Sequence, residues 1–414
     1  DVYKRQQNLL LVSSRCTRAG NTNLIWKEEQ TMKKLMSFVL VIALALSMVA
    51  CAAPAAEETA PAAEETAPTA EATAPTEEAA APADATALIG RYAGSTDFDP
   101  DTCTDFITGD NFVTNFGELA GLNVNWKDLK CAVVVKTLAN ESWTNIAGGI
   151  KTFLEENGVG TVDLVAPDSE SDAEQQQSLV DALLIKDYDI IFLSPQADTT
   201  LDAQCKEAHE AGIIVVNAFD STMQEADVYA GNISLDTGRL AAKYICETWC
   251  GGEGKVAVVE GLAGAYSSIN RTAGYLEKCA EYEGIEVVAD VVGNWDRQTA
   301  MDQATTVINQ YPDLKAIYCC NDTMALGVIE AVKEAGKLGE ICVIGSDGVE
   351  AAMDSINAGE LTGTIDLNLY AGGRMAAEAG MRLFAGQELP RVIQIPQLVI
   401  TKDNTNEHVG YTAE

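Results

Sequence analysis

The sequence predicts an α/β protein built from two doubly wound parallel-sheet lobes, and three observations carry that reading. From Cys131 onward, apolar runs rich in β-branched residues recur: CAVVVKTL, VDLVAP, DIIFLSP, IIVVNAF, KVAVVEG, IEVVADVVGN, KAIYCC and ICVIGSDG. Between them lie segments of helical period at 172–186, 199–210, 236–250 and 298–310. Continuous apolar strands separated by helices indicate parallel sheets covered on both faces, since a strand that meets no water has no reason to alternate. The series is too long for one sheet, and it breaks near AGNISLD (230–236), where the fourth helix–strand unit ends and a new one starts.

The 414 residues, 47% of them apolar, allow two or three domains with a sizeable core. A net charge of −35 argues against nucleic acid as a partner, because phosphate binding needs a basic face. Residues 1–31 are polar and aperiodic, and DVYKRQ has a back-translation that resembles a transposase mosaic end. They read as a non-native or untranslated leader and are set aside. From Met32 the text becomes MKKLMSFVLVIALALSMVAC: two lysines, an apolar run from Leu35 to Ala50, and Cys51. The run is shorter than the roughly 20 residues that span a bilayer, so it reads as a secretory signal. Its end resembles a bacterial lipobox, with Met48 where leucine is usual. Residues 32–50 are expected to be removed and Cys51 to carry lipid.

Residues 51–87 hold five seven-residue units with proline at 54, 61, 68, 75 and 82. A proline in every unit excludes a coiled coil, and the segment reads as an extended acidic tether. An N-terminal extension, 88–129, follows. Within it TDFDPDTCTD spaces its aspartates like a calcium loop, yet the glycine and glutamate such a loop needs are missing, so it reads as an acidic loop. No metal and no cofactor is expected. Of eleven cysteines, nine remain after Cys16 and Cys51 are discounted, and Cys131, Cys319, Cys320 and Cys342 lie in apolar runs as small hydrophobes. An odd count and the absence of a CxxC motif argue against a disulfide framework. Cys246 and Cys250 have no histidine near them in sequence, which argues against zinc.

YCCNDTMALG (318–327) poses the functional question, because a strand apolar on both faces stops abruptly at an amide and a carboxylate. In open parallel sheets ligands sit beyond the carboxyl ends of the strands. Either residue would also serve as a helix cap, worth about 1 kcal/mol. The two roles are compatible, with Asp322 as the cap and Asn321 as the ligand residue.

Four stretches, NDTMALG, VIGSDG, GLAGAYSSINRTAGY and TIDLNLYAGG, resemble in order the ribose and galactose type of periplasmic sugar-binding protein, the capture component of ABC importers. The likeness runs from about Cys131 to Asn404. It implies a first lobe of 130–232 plus 367–395, a second lobe of 233–366 plus 396–404, and a tail of 405–414. The chain would cross between lobes at 231–236, at 364–368 and near Pro396, a three-stranded hinge beside the ligand cleft. Matched residue by residue, the resemblance implies that Asn140, Trp143 and Asp220 bind from the first lobe, and Arg271, Trp295, Asn321 and Asp347 from the second. Planar indoles suit the C–H faces of a sugar, and carboxylates and a guanidinium make charge-assisted bonds to its hydroxyls. Each residue has a plainer role beside this: packing for the tryptophans, a solvated helix face for Arg271, an Asx turn for Asp347.

Two positions depart from the family pattern. Ser346 stands where phenylalanine is frequent, and Leu367 where a binding glutamine is expected, so Asp366 or Asn368 is expected to take its place, widening the ligand range to hexoses, polyols or nucleosides. An enzyme is the rival class, but His209 and His408 are the chain's only histidines and no GxSxG, P-loop or HExxH motif occurs. A surface receptor acting on a sensor kinase is a third reading. The expectation is a monomeric, lipid-anchored extracytoplasmic protein that binds a sugar or polyol, works with an ABC permease, and catalyses nothing.

Overall fold

The computed structural model describes residues 106–108, 115–197 and 199–408. The signal-like run, Cys51, the proline repeats and the acidic loop lie outside the described residues.

Thirteen strands are described, in two sheets. The first contains β1 (Phe106–Thr108), β2 (Lys130–Val134), β3 (Thr161–Val165), β4 (Ile190–Leu193), β5 (Ile214–Ala218), β6 (Val228–Gly231) and β12 (Val392–Gln394). Its order is β1-β12-β6-β5-β4-β2-β3, and every neighbouring pair is parallel. The second contains β7 (Glu253–Glu260), β8 (Gly284–Val292), β9 (Leu314–Cys319), β10 (Cys342–Asp347), β11 (Gly363–Asp366) and β13 (Leu398–Thr401). Its order is β13-β11-β10-β9-β7-β8, parallel except where β13 runs against β11. Central strands β4 and β10 are buried at every residue, as unbroken apolar runs demand.

Parallel strands need crossovers, and helices supply them. In chain order these are α1 (Glu141–Glu156), α2 (Ala173–Leu184), α3 (Asp202–Glu210), α4 (Ser234–Lys243), α5 (Tyr266–Cys279), α6 (Arg297–Gln310), α7 (Asp322–Glu334), α8 (Glu350–Ala358) and α9 (Leu369–Phe384). A π-helical stretch, Tyr244–Trp249, prolongs α4. Side-chain caps start four of them, where Asn140, Asp172, Asp296 and Asn321 accept from the amides of Ser142, Gln175, Thr299 and Met324 at 2.7–3.0 Å. Each such cap is worth about 1 kcal/mol.

The chain passes between sheets at three places. It leaves the first sheet at Gly231 and starts α4 at Ser234; it returns from β11, ending at Asp366, to α9, which packs on α1; and it passes from β12 to β13 around Pro396. Asn232 ties the crossings together, its Nδ2 donating to Leu367 O at 3.2 Å and to Ile395 O at 3.0 Å.

The stretch 88–129, expected as an extension, is drawn into the first lobe where it is described. β1 adds an edge strand beside β12, Leu119 and Leu129 are buried, and the buried Arg382 donates to Gly117 O at 2.8 Å. Its short apolar pieces, spread over a polar segment, show no period that would have revealed this.

Helices α4 and α5 meet at glycine. A Cβ on Gly274 would lie 1.9 Å from Leu235 O, and one on Gly238 equally close to Arg271 O. Gly274→Ala is therefore expected to cost about 1–3 kcal/mol through forced separation of the helices. Gly121→Ala, where a Cβ meets nothing within 4 Å, should stay within about 0.5 kcal/mol. Urea denaturation of the two variants checks the contrast.

Candidate functional site

Six non-glycine residues have positive φ among the described residues: Phe219, Asp220, Asn294, Trp295, Asp347 and Asn368. Such backbone costs on the order of 1–3 kcal/mol per residue, and it clusters where surrounding structure enforces it for function. Four of the six line one cleft between the lobes; Asn294 precedes Trp295, and Asn368 stands between the lining residues Leu367 and Leu369. About 420 Å³ of space free of protein atoms, its open mouth included, lies within the cleft.

The first lobe builds its side from the ends of β2, β3 and β5. Beyond β2, Asn140 caps α1 with Oδ1 and donates from Nδ2 to Glu170 Oε1 at 2.6 Å. Trp143 follows in the first turn, and the Lys136 ammonium lies 5.3 Å from the centre of its ring. Lys136 also pairs with Asp220, both side chains being less than a tenth exposed. Burial works against ionisation of Asp220, yet Lys136 holds its carboxyl below the usual range.

The second lobe contributes from α5 and from the ends of β8, β9 and β10. Arg271 donates to Cys320 O at 2.5 Å and to Asp347 Oδ1 at 3.2 Å. The Trp295 ring lies over Gly261, where a Cβ would come within 2.1 Å of it. Asn321 caps α7 through Oδ1, which leaves Nδ2 as the group it can offer the cleft. Burial pushes the Asp347 carboxyl up to about 6, although Arg271 and Ser142 pull it the other way.

Hydrogen bonds join the lobes across the cleft, and Ser267 of α5 also reaches Asp220 there. Ser142 Oγ donates to Asp347 Oδ2 at 2.8 Å, and the amide of Glu350, first residue of α8, donates to Glu141 Oε1 at 2.9 Å. Two buried polar atoms, one on each side, have no protein partner: Asp220 Oδ1 and Arg271 Nε. Unpaired buried polar atoms are costly, so a polar ligand in the cleft that met these two would remove that cost.

A family model described as a periplasmic binding protein domain matches residues 131–388. The chain belongs to the periplasmic binding protein family. A D-allose-binding periplasmic protein of Escherichia coli (strain K12) is 35% identical over 263 residues, 61% of this chain and 84% of its own. Among solved structures, an ABC transporter periplasmic solute binding protein from Actinobacillus succinogenes 130z with bound D-allose superimposes with a TM-score of 0.63 at 27% identity, covering 68% of this chain and 100% of the other. One from Agrobacterium vitis with bound D-fucose gives 0.63 at 28%, covering 67% and 97%.

In this periplasmic binding protein the structure brings Asn140, Trp143, Asp220, Arg271, Trp295, Asn321 and Asp347 together. Asn368 is not among them. It sits in left-handed backbone at the start of α9 and its amide donates to Pro396 O at 2.8 Å, while Leu367 and Leu369 on either side line the cleft. Asp366 does not replace the expected glutamine either: Asn368 N and His408 Nδ1 occupy its oxygens at 2.8 and 2.7 Å. Ser346, at the phenylalanine position, is buried against Tyr318 Oη at 3.0 Å and does not line the cleft.

The cap expected at Asp322 falls to Asn321, which also lines the cleft. Asn321 is the cap, whereas Asp322 is fully buried and accepts from Gly348 N at 2.8 Å, Val349 N at 3.1 Å and Thr364 Oγ1 at 2.7 Å. The sequence reading missed Ser142, Glu170, Ser267 and Phe219 in the lining. It also missed Lys136, whose charge at the end of an apolar run was the one visible signal.

Asp322→Ala strips partners from three buried donors in and around the loop that follows Asp347. We expect it to cost about 2–4 kcal/mol of stability. Equilibrium urea unfolding measures it, and Asp322→Asn should lose less.

Proposed function

We propose that this binding protein captures a monosaccharide or related polyol by closing its two lobes over it, and delivers it unchanged to an ABC importer. The observation that carries the reading is the convergence of two indoles, two ion-paired carboxylates and unpaired polar atoms from both lobes on one small cleft. A ring of hydroxyls with apolar faces matches those groups. The D-allose and D-fucose held by the similar solved structures support the sugar class.

Binding without turnover agrees with the electrostatics. Asp220 and Asp347 are each paired with a cation, which suits holding hydroxyls better than exchanging protons. Both histidines are engaged away from the lining, His209 with Asp227 at 3.1 Å and His408 with Asp366 at 2.7 Å. No described helix is long and apolar enough to cross a membrane. The proposed attachment is lipid on Cys51, with 51–87 as a tether and a monomer as the working unit.

Calorimetry on protein from residue 88 onward, against pentoses, hexoses, inositols and nucleosides, should find one class bound at micromolar affinity or tighter, about −8 kcal/mol. Asp347→Ala and Arg271→Ala should each weaken binding by about 3 kcal/mol or more, since each strands a buried charge. Trp295→Ala should cost about 1 kcal/mol through lost ring contact. Small-angle scattering should show a radius of gyration that shrinks with saturating ligand. Product formation from any compound, or an Asp347→Ala variant that binds and closes normally, contradicts the reading.

For the anchor, mass spectrometry of protein extracted from membranes should find an acylated Cys51 at the N-terminus. An intact signal or an unmodified N-terminus elsewhere would exclude it.

A further inference from the structure

Cys246 and Cys279 are 33 positions apart, yet their sulfurs lie 3.7 Å from each other, with both residues buried. Cys279 is the last residue of α5 and Cys246 sits in the π-helical stretch after α4, so the glycine-mediated approach of the two helices is what brings them together. π-Helical turns are rare and tend to mark functional positions. Cys250 lies one turn beyond Cys246 and is only partly buried, and Cys342 is buried at the start of β10. Among the described residues no group of three or more His, Cys, Asp or Glu is placed to hold a metal ion.

We propose that Cys246 and Cys279 form a disulfide in this protein. The sulfurs have to close from 3.7 Å to a bond of about 2 Å, and family membership places the chain outside the cytoplasm, where disulfides persist.

The co-reactant is a low-molecular-weight disulfide of the oxidised glutathione kind. One of the two protein thiols loses its proton and attacks one of its sulfurs, expelling the other, which takes up a proton and leaves as a thiol. The second protein thiol then loses its proton, attacks the protein sulfur of the mixed disulfide, and expels the remaining small thiol. Two electrons and two protons pass from the protein to the small disulfide. Because both thiols are buried in the fold, the exchange belongs to folding, before α4 and α5 have packed. The bond fixes the far ends of the helix pair, one member of which carries Ser267 and Arg271 to the cleft.

The test uses the full chain, unfolded in reductant and refolded with oxidised and reduced glutathione. Free thiols are trapped with N-ethylmaleimide, and the protein is digested with trypsin without reduction. The expected product joins peptide 244–255 to peptide 279–297, with the maleimide on Cys250. In thermal unfolding, dithiothreitol should lower the midpoint of the oxidised protein by several degrees and leave Cys279→Ala unmoved. Maleimide on both Cys246 and Cys279, or a bridge through Cys250 instead, overturns the proposal. Refolding of wild type supplies the linkage result whether or not the variant folds.

Discussion

The carboxylate of Asp347 is held from both lobes at once. Arg271 reaches it from α5 in the second lobe, at 3.2 Å, and Ser142 from α1 in the first, at 2.8 Å. A carboxylate withdrawn from water is tolerated only when its remaining lone pairs are satisfied, and burial here pushes the group up to about 6 in spite of both partners. Everything around it follows from that demand. The residue sits at the tip of β10 with φ of 126°, an unusual conformation held from behind. Asp322 takes the next two amides, Gly348 and Val349, and Glu141 of the opposite lobe takes the third, Glu350. Three carboxylates thus organise one loop of four residues.

The same logic explains why positive φ collects at this place. Phe219 and Asp220 turn the chain sharply after β5, and Asn294 and Trp295 do so after β8, each at a strand end facing the cleft. A sharp turn lets a side chain on the last residues of a strand point along the strand axis, into the space between lobes, rather than across the sheet. The cost is met locally. Asn217 binds Ser221 O at 3.1 Å and Met223 N at 2.8 Å across the first turn, and Gly261 leaves room for the Trp295 ring beside the second.

Much of this was legible because a parallel sheet converts sequence position into spatial position. Once an apolar run is recognised as a buried strand, the polar residues after it must lie at the cleft edge, which is how Asn321 was found; Asn140, Asp220 and Asp347 came from the family resemblance and stand after strands in the same way. The rule fails where the cleft-facing signal is not a contrast with its surroundings. Glu170 lies among Asp168, Ser169 and Ser171, a sequence that reads as any solvated loop. It fails again where the outcome depends on a distant partner: Asn368 is taken by Pro396, 28 positions on, and Cys246 meets Cys279 only through the packing of two helices. That the cap falls to Asn321 and not to Asp322 depends on backbone angles, since the cap needs the extended conformation that residue 321 has and residue 322, already helical, lacks.

The three crossings between sheets cannot behave as independent joints. Asn232, in the first, bonds the backbone of the other two at Leu367 and Ile395, and Gln397 closes the group by accepting from Thr237 and donating to Ile233 O. On the proposed reading, a rotation of one lobe that keeps these bonds carries all three crossings together. On the proposed reading this determines how binding energy is used. Ser142–Asp347 and Glu141–Glu350 are protein contacts, available with or without a sugar, and they bias closure equally in both cases. A ligand shifts the balance only through bonds it alone completes. Asp220 Oδ1 in one lobe and Arg271 Nε in the other are buried atoms of that kind, so a molecule that satisfies both must bridge the lobes, and its affinity and its closing force are one quantity.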